Sequence, residues 1–223
     1  QSFSPQQRGE IDSIIREYFI KHPEMIEELQ ALAQAEKLKR AITDNKQTLF
    51  NSPRQVTLGN PNGDVTMVEF FDYNCGYCKR ALDDMLTLMK DNPNLRVVLK
   101  EMPVLSQGSM EAAQVAVAVA MQYKSGKRYL DFHQKLLTGR GQVDKARALA
   151  VAKEVGADMA RIEKDMGGAE VRAALQESFA LAEALGFQGT PSYVIGNEAV
   201  VGAVGVKELQ AKINNARCGK PAC

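Results

Sequence analysis

The chain has 223 residues, 45% of them hydrophobic, so it can bury a substantial core as one domain with an extension or as two small domains. Its 28 lysines and arginines nearly balance its 27 aspartates and glutamates, which argues against a surface for nucleic acid or an anionic membrane. No apolar run approaches the length that spans a membrane.

The first 48 residues predict a separate helical module. Two helices are expected, Pro5–Lys21 and Pro23–Asn45, with a break at His22-Pro23 because the residue before a proline avoids the α region. The second helix is long and highly charged, and little apolar sequence lies nearby to cover its apolar stripe. We therefore expect residues 5–48 to self-associate. The stripe consists of Ile11, Ile15, Tyr18, Met25, Leu29 and Leu32.

The rest of the chain is organised around a strand followed by two cysteines. Val65–Phe71 is an apolar run of strand length, and helical spacing follows it, so Cys75 and Cys78 lie where a buried strand gives way to a helix. Cys75 then occupies the helix N-terminus, where unpaired N–H groups and the helix dipole stabilise a thiolate. Cys78, one turn later, can close a disulfide with Cys75 or release a mixed disulfide. A redox pair fits this context better than a structural disulfide or half of a zinc site.

The remaining elements predict a sheet split by a helical block. A short edge strand around Val56–Leu58 comes first, and a strand at Leu95–Met102 completes a βαβ unit with the central strand. Five helices are expected next, at Gln107–Tyr123, Tyr129–Leu137, Asp144–Val155, Met159–Met166 and Ala169–Leu185. A hairpin of Ser192–Ile195 and Glu198–Val201 and a last helix at Val206–Ala216 then follow.

The other two cysteines, Cys218 and Cys223, bracket four residues near the end of the sequence. Such a short loop can close as a structural disulfide, which would need an oxidising compartment. The sequence begins at Gln1, with neither an initiator methionine nor a signal peptide, as a processed mature protein would. We therefore expect a periplasmic protein.

Together these motifs resemble a known family. They are a strand followed by Cys-x-x-Cys and a helix, the long helical insertion, and Gly189-Thr190-Pro191-Ser192-Tyr193 before a hairpin. On these motifs the chain resembles the DsbA-type thioredoxin fold over about Val56 to Ala216. The N-terminal helices resemble those of the ScsC-like branch, in which such an extension joins protomers, so the resemblance implies a dimer or trimer held together by residues 5–48. The expected fold class is α/β, a thioredoxin fold (49–223) with a helical insertion at about 107–187, preceded by an N-terminal helical oligomerisation extension (1–48).

The resemblance implies roles for individual residues. Cys75 would be the attacking cysteine and Cys78 the resolving one. Pro191 would be the cis-proline of the family, which is physically sensible because only X–Pro bonds adopt cis at modest cost. The backbone of Thr190 would pair with an extended client segment.

Gly76 and Tyr77 lie between the two cysteines and influence how many donors reach the thiolate. They differ from the Pro-His pair of the best-known oxidase of this family. The oxidising strength is therefore left open.

Glu69 stands in an otherwise apolar strand, six positions before Cys75. Burial would raise the pKa of its carboxyl toward a range useful for proton transfer. The family has an acid at this place that relays protons near the buried cysteine. Lys100 on the neighbouring strand is an alternative partner that would make Glu69 half of a structural pair, and the two roles do not exclude each other.

The sequence predicts a periplasmic thiol–disulfide oxidoreductase that acts on unfolded or misfolded client proteins, with a membrane redox partner and no cofactor. The N-terminal extension favours an oligomeric disulfide isomerase, and a dithiol oxidase is the alternative. A different class is a copper-binding metal-stress protein in which Cys75 and Cys78 hold a soft ion. The two histidines, His22 and His133, form no ligand cluster, and a four-cysteine zinc site would need the C-terminal cysteines to reach the Cys-x-x-Cys.

Overall fold

The computed structural model describes residues 3–124 and 126–223. The chain divides into two compact units, Gln1–Arg40 and Ala41–Cys223. The functional division expected at residue 48 stays a prediction. Within the described ranges, no helix combines the length and apolar character needed to cross a bilayer.

The smaller unit is helical and leaves most of its large apolar side chains exposed. It contains α1 (Pro5–Lys21) and most of α2 (Glu24–Asp44), separated at His22-Pro23 as the sequence predicts. The Ser4 hydroxyl accepts a hydrogen bond from the Gln7 backbone N–H, and the Gln7 side chain accepts one from the Ser4 N–H, so α1 begins with a capping box. None of the residues of α1 is buried. The exposed large apolar residues of this unit are Phe3, Ile14, Ile15, Tyr18, Ile20, Ile26, Leu29 and Leu32.

A five-stranded sheet of order β1-β3-β2-β4-β5 forms the centre of the larger unit. The central strand β2 is parallel to β3 and antiparallel to β4, while β1 and β5 form the antiparallel edges. Every residue of β2 from Met67 to Phe71 is buried, as expected for a strand with neighbours on both sides and helices on both faces. The strands are β1 (Val56–Gly59), β2 (Val65–Phe71), β3 (Leu95–Glu101), β4 (Ser192–Ile195) and β5 (Glu198–Val201).

Helices connect and cover these strands. The crossover from β2 to β3 is α4 (Gly76–Asp91), and α10 (Val206–Cys218) follows β5. The predicted thioredoxin fold with a helical insertion is confirmed, because five helices lie between β3 and β4 in the chain. These are α5 (Gln107–Gln122), α6 (Lys127–Thr138), α7 (Lys145–Glu154), α8 (Met159–Asp165) and α9 (Ala169–Ala184).

One helix of the larger unit was not expected. The sequence predicts no element over 46–51, where α3 (Lys46–Asn51) precedes β1. Six residues are too few to show a helical period, so the pattern of α3 carries no signal. Leu49 is fully buried and Ile42 is 1% exposed, which fixes this stretch to the larger unit.

Lys100 ties three of these elements together. Its ammonium group is buried and donates hydrogen bonds to the Thr48 carbonyl of α3 at 2.9 Å and to the Glu177 carboxylate of α9 at 3.1 Å. The alternative pairing of Lys100 with Glu69 is wrong. The β2–β3 register sets Glu69 opposite Leu99, so Lys100 points to the other face of the sheet.

We expect Glu177→Ala to lower the free energy of unfolding by about 3 kcal/mol or more, because the buried Lys100 ammonium would lose its charged partner. Denaturant unfolding followed by circular dichroism measures the change. Glu154→Ala is the control, since it breaks an exposed pair with Lys135 and should cost about 1 kcal/mol or less. Equal losses in the two variants would contradict an anchoring role for Lys100.

Candidate active site

Cys75 is the N-cap residue of α4. Its backbone is extended, and its Sγ accepts a hydrogen bond from the Cys78 backbone N–H at 3.3 Å. The Cys75 backbone N–H donates to the Asp72 carbonyl at 3.0 Å, which fixes the turn between β2 and α4. The Cys75 thiol also lies 3.2 Å from the Thr190 carbonyl, to which it donates. The end of β2, the start of α4 and the approach to β4 therefore meet at one sulfur atom.

The two thiols are free in the structure and differ in acidity. A hydrogen bond with the Cys78 thiol is the largest influence that lowers the pKa of Cys75, to about 5. The Thr190 side chain and the backbone N–H groups of Cys78 and Tyr77 lower it further, while burial opposes them. The pKa of Cys78 is raised, first by the same bond to Cys75 and then by burial. Cys75 is thus the thiolate at neutral pH and Cys78 the protonated partner.

The predicted proline loop lies against this sulfur. The Thr190–Pro191 peptide bond is cis. The Pro191 carbonyl accepts from the Gly202 N–H at 2.8 Å, and the Ser192 hydroxyl donates to the Gly189 carbonyl at 2.7 Å. The loop is thereby held on both sides with Thr190 next to Cys75. Client pairing at Thr190 stays a prediction.

The two residues between the cysteines leave one side of the motif open. A Cβ added at Gly76 would meet no atom within 4 Å, so nothing covers this position. The Tyr77 side chain is 59% exposed, and the Arg80 guanidinium lies 4.6 Å from the centre of its ring. Tyr77 is therefore an exposed side chain between two buried thiols.

Glu69 is buried beneath the motif. On β2 it pairs with Leu99 of β3 and Tyr193 of β4, and its Oε2 has no hydrogen-bond partner among the described residues. Burial raises the pKa of its carboxyl to about 8, and the nearby Asp84 and Cys75 add to the rise. The group is therefore protonated for the most part at neutral pH.

Sequence reasoning gave no role to Asp72 and Asn74, which fix the motif. The buried Asp72 carboxylate accepts from the Asn74 N–H at 2.8 Å and from the N–H groups of Val104 and Leu105 at 3.0 and 3.1 Å. The Asn74 side chain bonds to Val143 in the insertion. Short polar side chains after a strand do favour local backbone hydrogen bonds. The sequence carries no sign of partners 32 and 69 residues away.

The remaining candidate ligands lie apart from the motif. Cys218 and Cys223 are joined to each other by a disulfide at the end of α10, so the four cysteines form two separate pairs. His133 is buried with its Nδ1 3.2 Å from the Tyr73 hydroxyl, and burial lowers its pKa to about 3. In the parts of the chain that the structure describes, no group of three or more metal-ligating side chains converges.

Comparisons with known proteins agree with this geometry. Residues 66–214 match the model of the DSBA-like thioredoxin domain. A thioredoxin-like oxidoreductase from Silicibacter pomeroyi is 44% identical, with a TM-score of 0.73 over 78% of this chain and 98% of that one. The thiol-disulfide exchange protein α-DsbA2 from Wolbachia pipientis is 29% identical, with a TM-score of 0.74 over 82% and 97%. A linker-deletion mutant of ScsC from Proteus mirabilis is 25% identical, with a TM-score of 0.80 over 97% of both chains.

The first curated relatives are longer proteins. The Na⁺/H⁺ antiporter NhaA 1 of Salinispora arenicola is 25% identical over 155 residues, which make up 70% of this chain and 24% of that protein. The chain spans about a quarter of the length of such relatives. Because the family match runs from β2 through the cysteine pair and the insertion into α10, the chain belongs to the DSBA-like thioredoxin domain family.

Proposed function

We propose that this chain is a thiol–disulfide oxidoreductase that acts on client proteins through Cys75 and Cys78. One observation carries the proposal: the Cys75 sulfur caps α4 and lies 3.2 Å from the carbonyl of Thr190, the residue before Pro191. Backbone N–H groups at a helix N-terminus stabilise the thiolate form, which is the nucleophile of disulfide exchange. The names of the thioredoxin-like oxidoreductase and of α-DsbA2 support the same chemistry.

The reaction proceeds through a mixed disulfide. The Cys75 thiolate attacks one sulfur of a client disulfide, a Cys75–client disulfide forms, and the other client sulfur leaves as a thiolate. The Cys78 thiol then loses its proton and attacks the Cys75 sulfur. The client leaves with both sulfurs reduced. Cys75 and Cys78 have given up two electrons and are joined as a disulfide. Run in reverse, the same steps oxidise a client dithiol.

Glu69 is the proton carrier that these steps need. Cys78 has to lose a proton inside the protein, since its side chain is fully buried. A carboxyl with a pKa of about 8 exchanges protons readily near neutral pH. Its buried Oε2 has no competing partner among the residues described, which leaves it available for this role.

Isomerisation is the net reaction that we infer for an oligomer of this chain. In isomerisation, a second client thiolate attacks the mixed disulfide, displaces the Cys75 thiolate and leaves no net change in oxidation state. Several active sites presented by one oligomer favour repeated attack on a misfolded client. The exposed apolar residues of α1 and α2 supply the surface for self-association, as a dimer or trimer. A monomer would instead fit the alternative, a dithiol oxidase.

A periplasmic location and a membrane redox partner complete the proposal. The Cys218–Cys223 disulfide fits an oxidising compartment, where such bonds persist. Sustained isomerisation requires a donor that keeps Cys75 and Cys78 reduced, and sustained oxidation requires an acceptor that keeps them joined. Unfolded or misfolded proteins are the expected clients, because their disulfides are accessible.

The first prediction concerns Cys75 itself. Iodoacetamide alkylation of the reduced protein should label Cys75 with an apparent pKa of about 5 and leave Cys78 unmodified. Cys75→Ser should abolish insulin reduction, while Cys78→Ser should trap mixed disulfides with the client. A Cys75 that ionises like a free thiol, or stoichiometric copper retained without insulin reduction, would reject the proposal, and the second result would favour copper binding.

The second prediction concerns Glu69. Because the folded protein raises its pKa from 4.5 to about 8, this carboxyl favours folding below pH 4.5 and costs stability as the pH rises toward 8. Between pH 5 and pH 8 the oxidised wild type should lose about 3–4 kcal/mol relative to oxidised Glu69→Gln. Denaturant unfolding at both pH values measures this. Glu163→Gln on α8 is the exposed control, and a parallel response of the two variants would show that Glu69 does not titrate this way.

The third prediction concerns the N-terminal stripe. Leu29→Glu places a charge among the exposed apolar residues and should convert the oligomer to a monomer, as measured by light scattering. Reactivation of scrambled ribonuclease should fall several-fold, while insulin reduction per active site stays unchanged. Gln30→Glu adds a charge on the next residue and should alter neither property. Full isomerase activity in a monomeric Leu29→Glu protein would argue against the oligomeric isomerase.

A further inference from the structure

Asn74, the residue directly before Cys75, makes a concentrated set of contacts with the helical insertion. Its Nδ2 donates to the Val143 carbonyl at 2.8 Å and to the Ser109 hydroxyl at 3.0 Å. Its Oδ1 accepts from the Val143 N–H at 2.7 Å. The side-chain amide thus pairs with the backbone of Val143 as a neighbouring strand would, and uses both of its donors.

The partners of Asn74 are themselves fixed. The Val143 side chain is fully buried, and Ser109 is 1% exposed. The Ser109 N–H and hydroxyl both bond to the hydroxyl of Ser106, the N-cap of α5. Asn74 is therefore anchored to the connection before α7 and to the first turn of α5, two parts of the insertion that pack in the core of the larger unit.

The backbone of Asn74 is held from the opposite side. Its N–H donates to the Asp72 carboxylate at 2.8 Å, and the Asp72 carbonyl accepts from the Cys75 N–H at 3.0 Å. With both its backbone and its side chain fixed, Asn74 leaves Cys75 little freedom to move. The sulfur of Cys75 is thereby kept within reach of the Cys78 N–H and the Thr190 carbonyl.

We propose that Asn74 is a positioning residue, through which the helical insertion fixes Cys75 at the N-terminus of α4 and against the Thr190–Pro191 loop. The inference rests on the proposed oxidoreductase function and adds a residue outside the Cys-x-x-Cys to its machinery. It also gives the insertion a part in the chemistry, because the atoms that hold Asn74 belong to it. Loss of the clamp lets the Cys75 sulfur move away from the N–H groups that stabilise its thiolate.

Asn92 provides a matched control on the same helix. It is the C-cap residue of α4, about 25 Å from Cys75 at the rise of an α-helix. Its amide bonds to the Leu88 carbonyl at 3.0 Å and to the Gln210 side chain at 2.7 and 3.1 Å. Asn74→Ala and Asn92→Ala thus remove comparable sets of hydrogen bonds at the two ends of one helix.

The test compares the pH dependence of Cys75 alkylation by iodoacetamide in these two variants of the full chain. Asn74→Ala should raise the apparent pKa of Cys75 by about one unit, which makes alkylation at pH 5.5 about threefold slower. Asn92→Ala should lower stability without changing that pKa. Hydrogen exchange should show faster exchange of the Val143 amide in Asn74→Ala but not in Asn92→Ala, because the acceptor of that amide is lost.

Ser109→Ala gives a graded version of the test, since it removes one of the three hydrogen bonds and should shift the Cys75 pKa in the same direction by a smaller amount. If Asn74→Ala does not fold, Ser109→Ala and Asn74→Ser decide the question with the same measurements. An unchanged Cys75 pKa, or the same shift in Asn92→Ala, overturns the proposal. Absence of insulin reduction in the wild type would reject the proposed function instead. The difference in Cys75 pKa between Asn74→Ala and Asn92→Ala does not depend on that activity, so the two failures can be told apart.

Discussion

The structure depends on a sulfur atom at the position where a helix usually begins with an oxygen. Ser, Thr, Asp or Asn commonly cap a helix by accepting a hydrogen bond from a free N–H group, and in α4 the Cys75 sulfur accepts it from Cys78. A thiolate satisfies that N–H better than a thiol does, so the fold itself favours the reactive form. The cap also demands an extended backbone at Cys75, which leaves three residues to turn the chain from β2 into α4.

Glu69, Asp72 and Lys100 are three of the buried charged side chains of the sheet and of this turn, and each is compensated differently. Asp72 is satisfied by three backbone N–H groups, so it can act as a structural carboxylate. Lys100 has a carboxylate and a carbonyl partner on the other face of the sheet. Glu69 has no partner for its buried Oε2 among the described residues, and it keeps its proton instead. Among these three, the acid with an unpartnered buried oxygen is the one beside the cysteines, and Glu101 on β3 is a further buried acid whose carboxyl oxygens lack partners among the described residues.

Sequence reasoning reached the fold and the cysteine pair because their signals are local. The apolar run of β2, the cysteines after it and the apolar spacing of α4 lie within 27 consecutive residues. The whole of β2 matches its prediction, and α5 ends within one residue of the predicted position. These elements depend on periodicity and on breakers, which a single sequence displays.

What sequence reasoning missed is long-range or too short to be periodic. The partner of Asn74 lies 69 residues away, and its position depends on how the insertion packs against the sheet. The sequence allows Lys100 as an ion-pair partner of Glu69, because the two strands are expected to be neighbours. The register, which decides the face on which each side chain lies, was not available from the pattern. The helix α3 has too few residues to show a helical period in the sequence.

The exposed large apolar side chains fall into two groups, one in each unit of the chain. In the larger unit, the exposed large apolar residues that the structure describes are Tyr77, Val104, Leu105, Val201 and Val204. Tyr77 belongs to the Cys-x-x-Cys, Asp72 holds the backbone of Val104 and Leu105, and Gly202 in the third segment bonds to Pro191. All of them therefore lie on segments connected to the redox motif, the site of the proposed exchange with a client. Self-association through this surface would cover the active site, which is why the proposed oligomer is assigned to the exposed apolar residues of α1 and α2 instead.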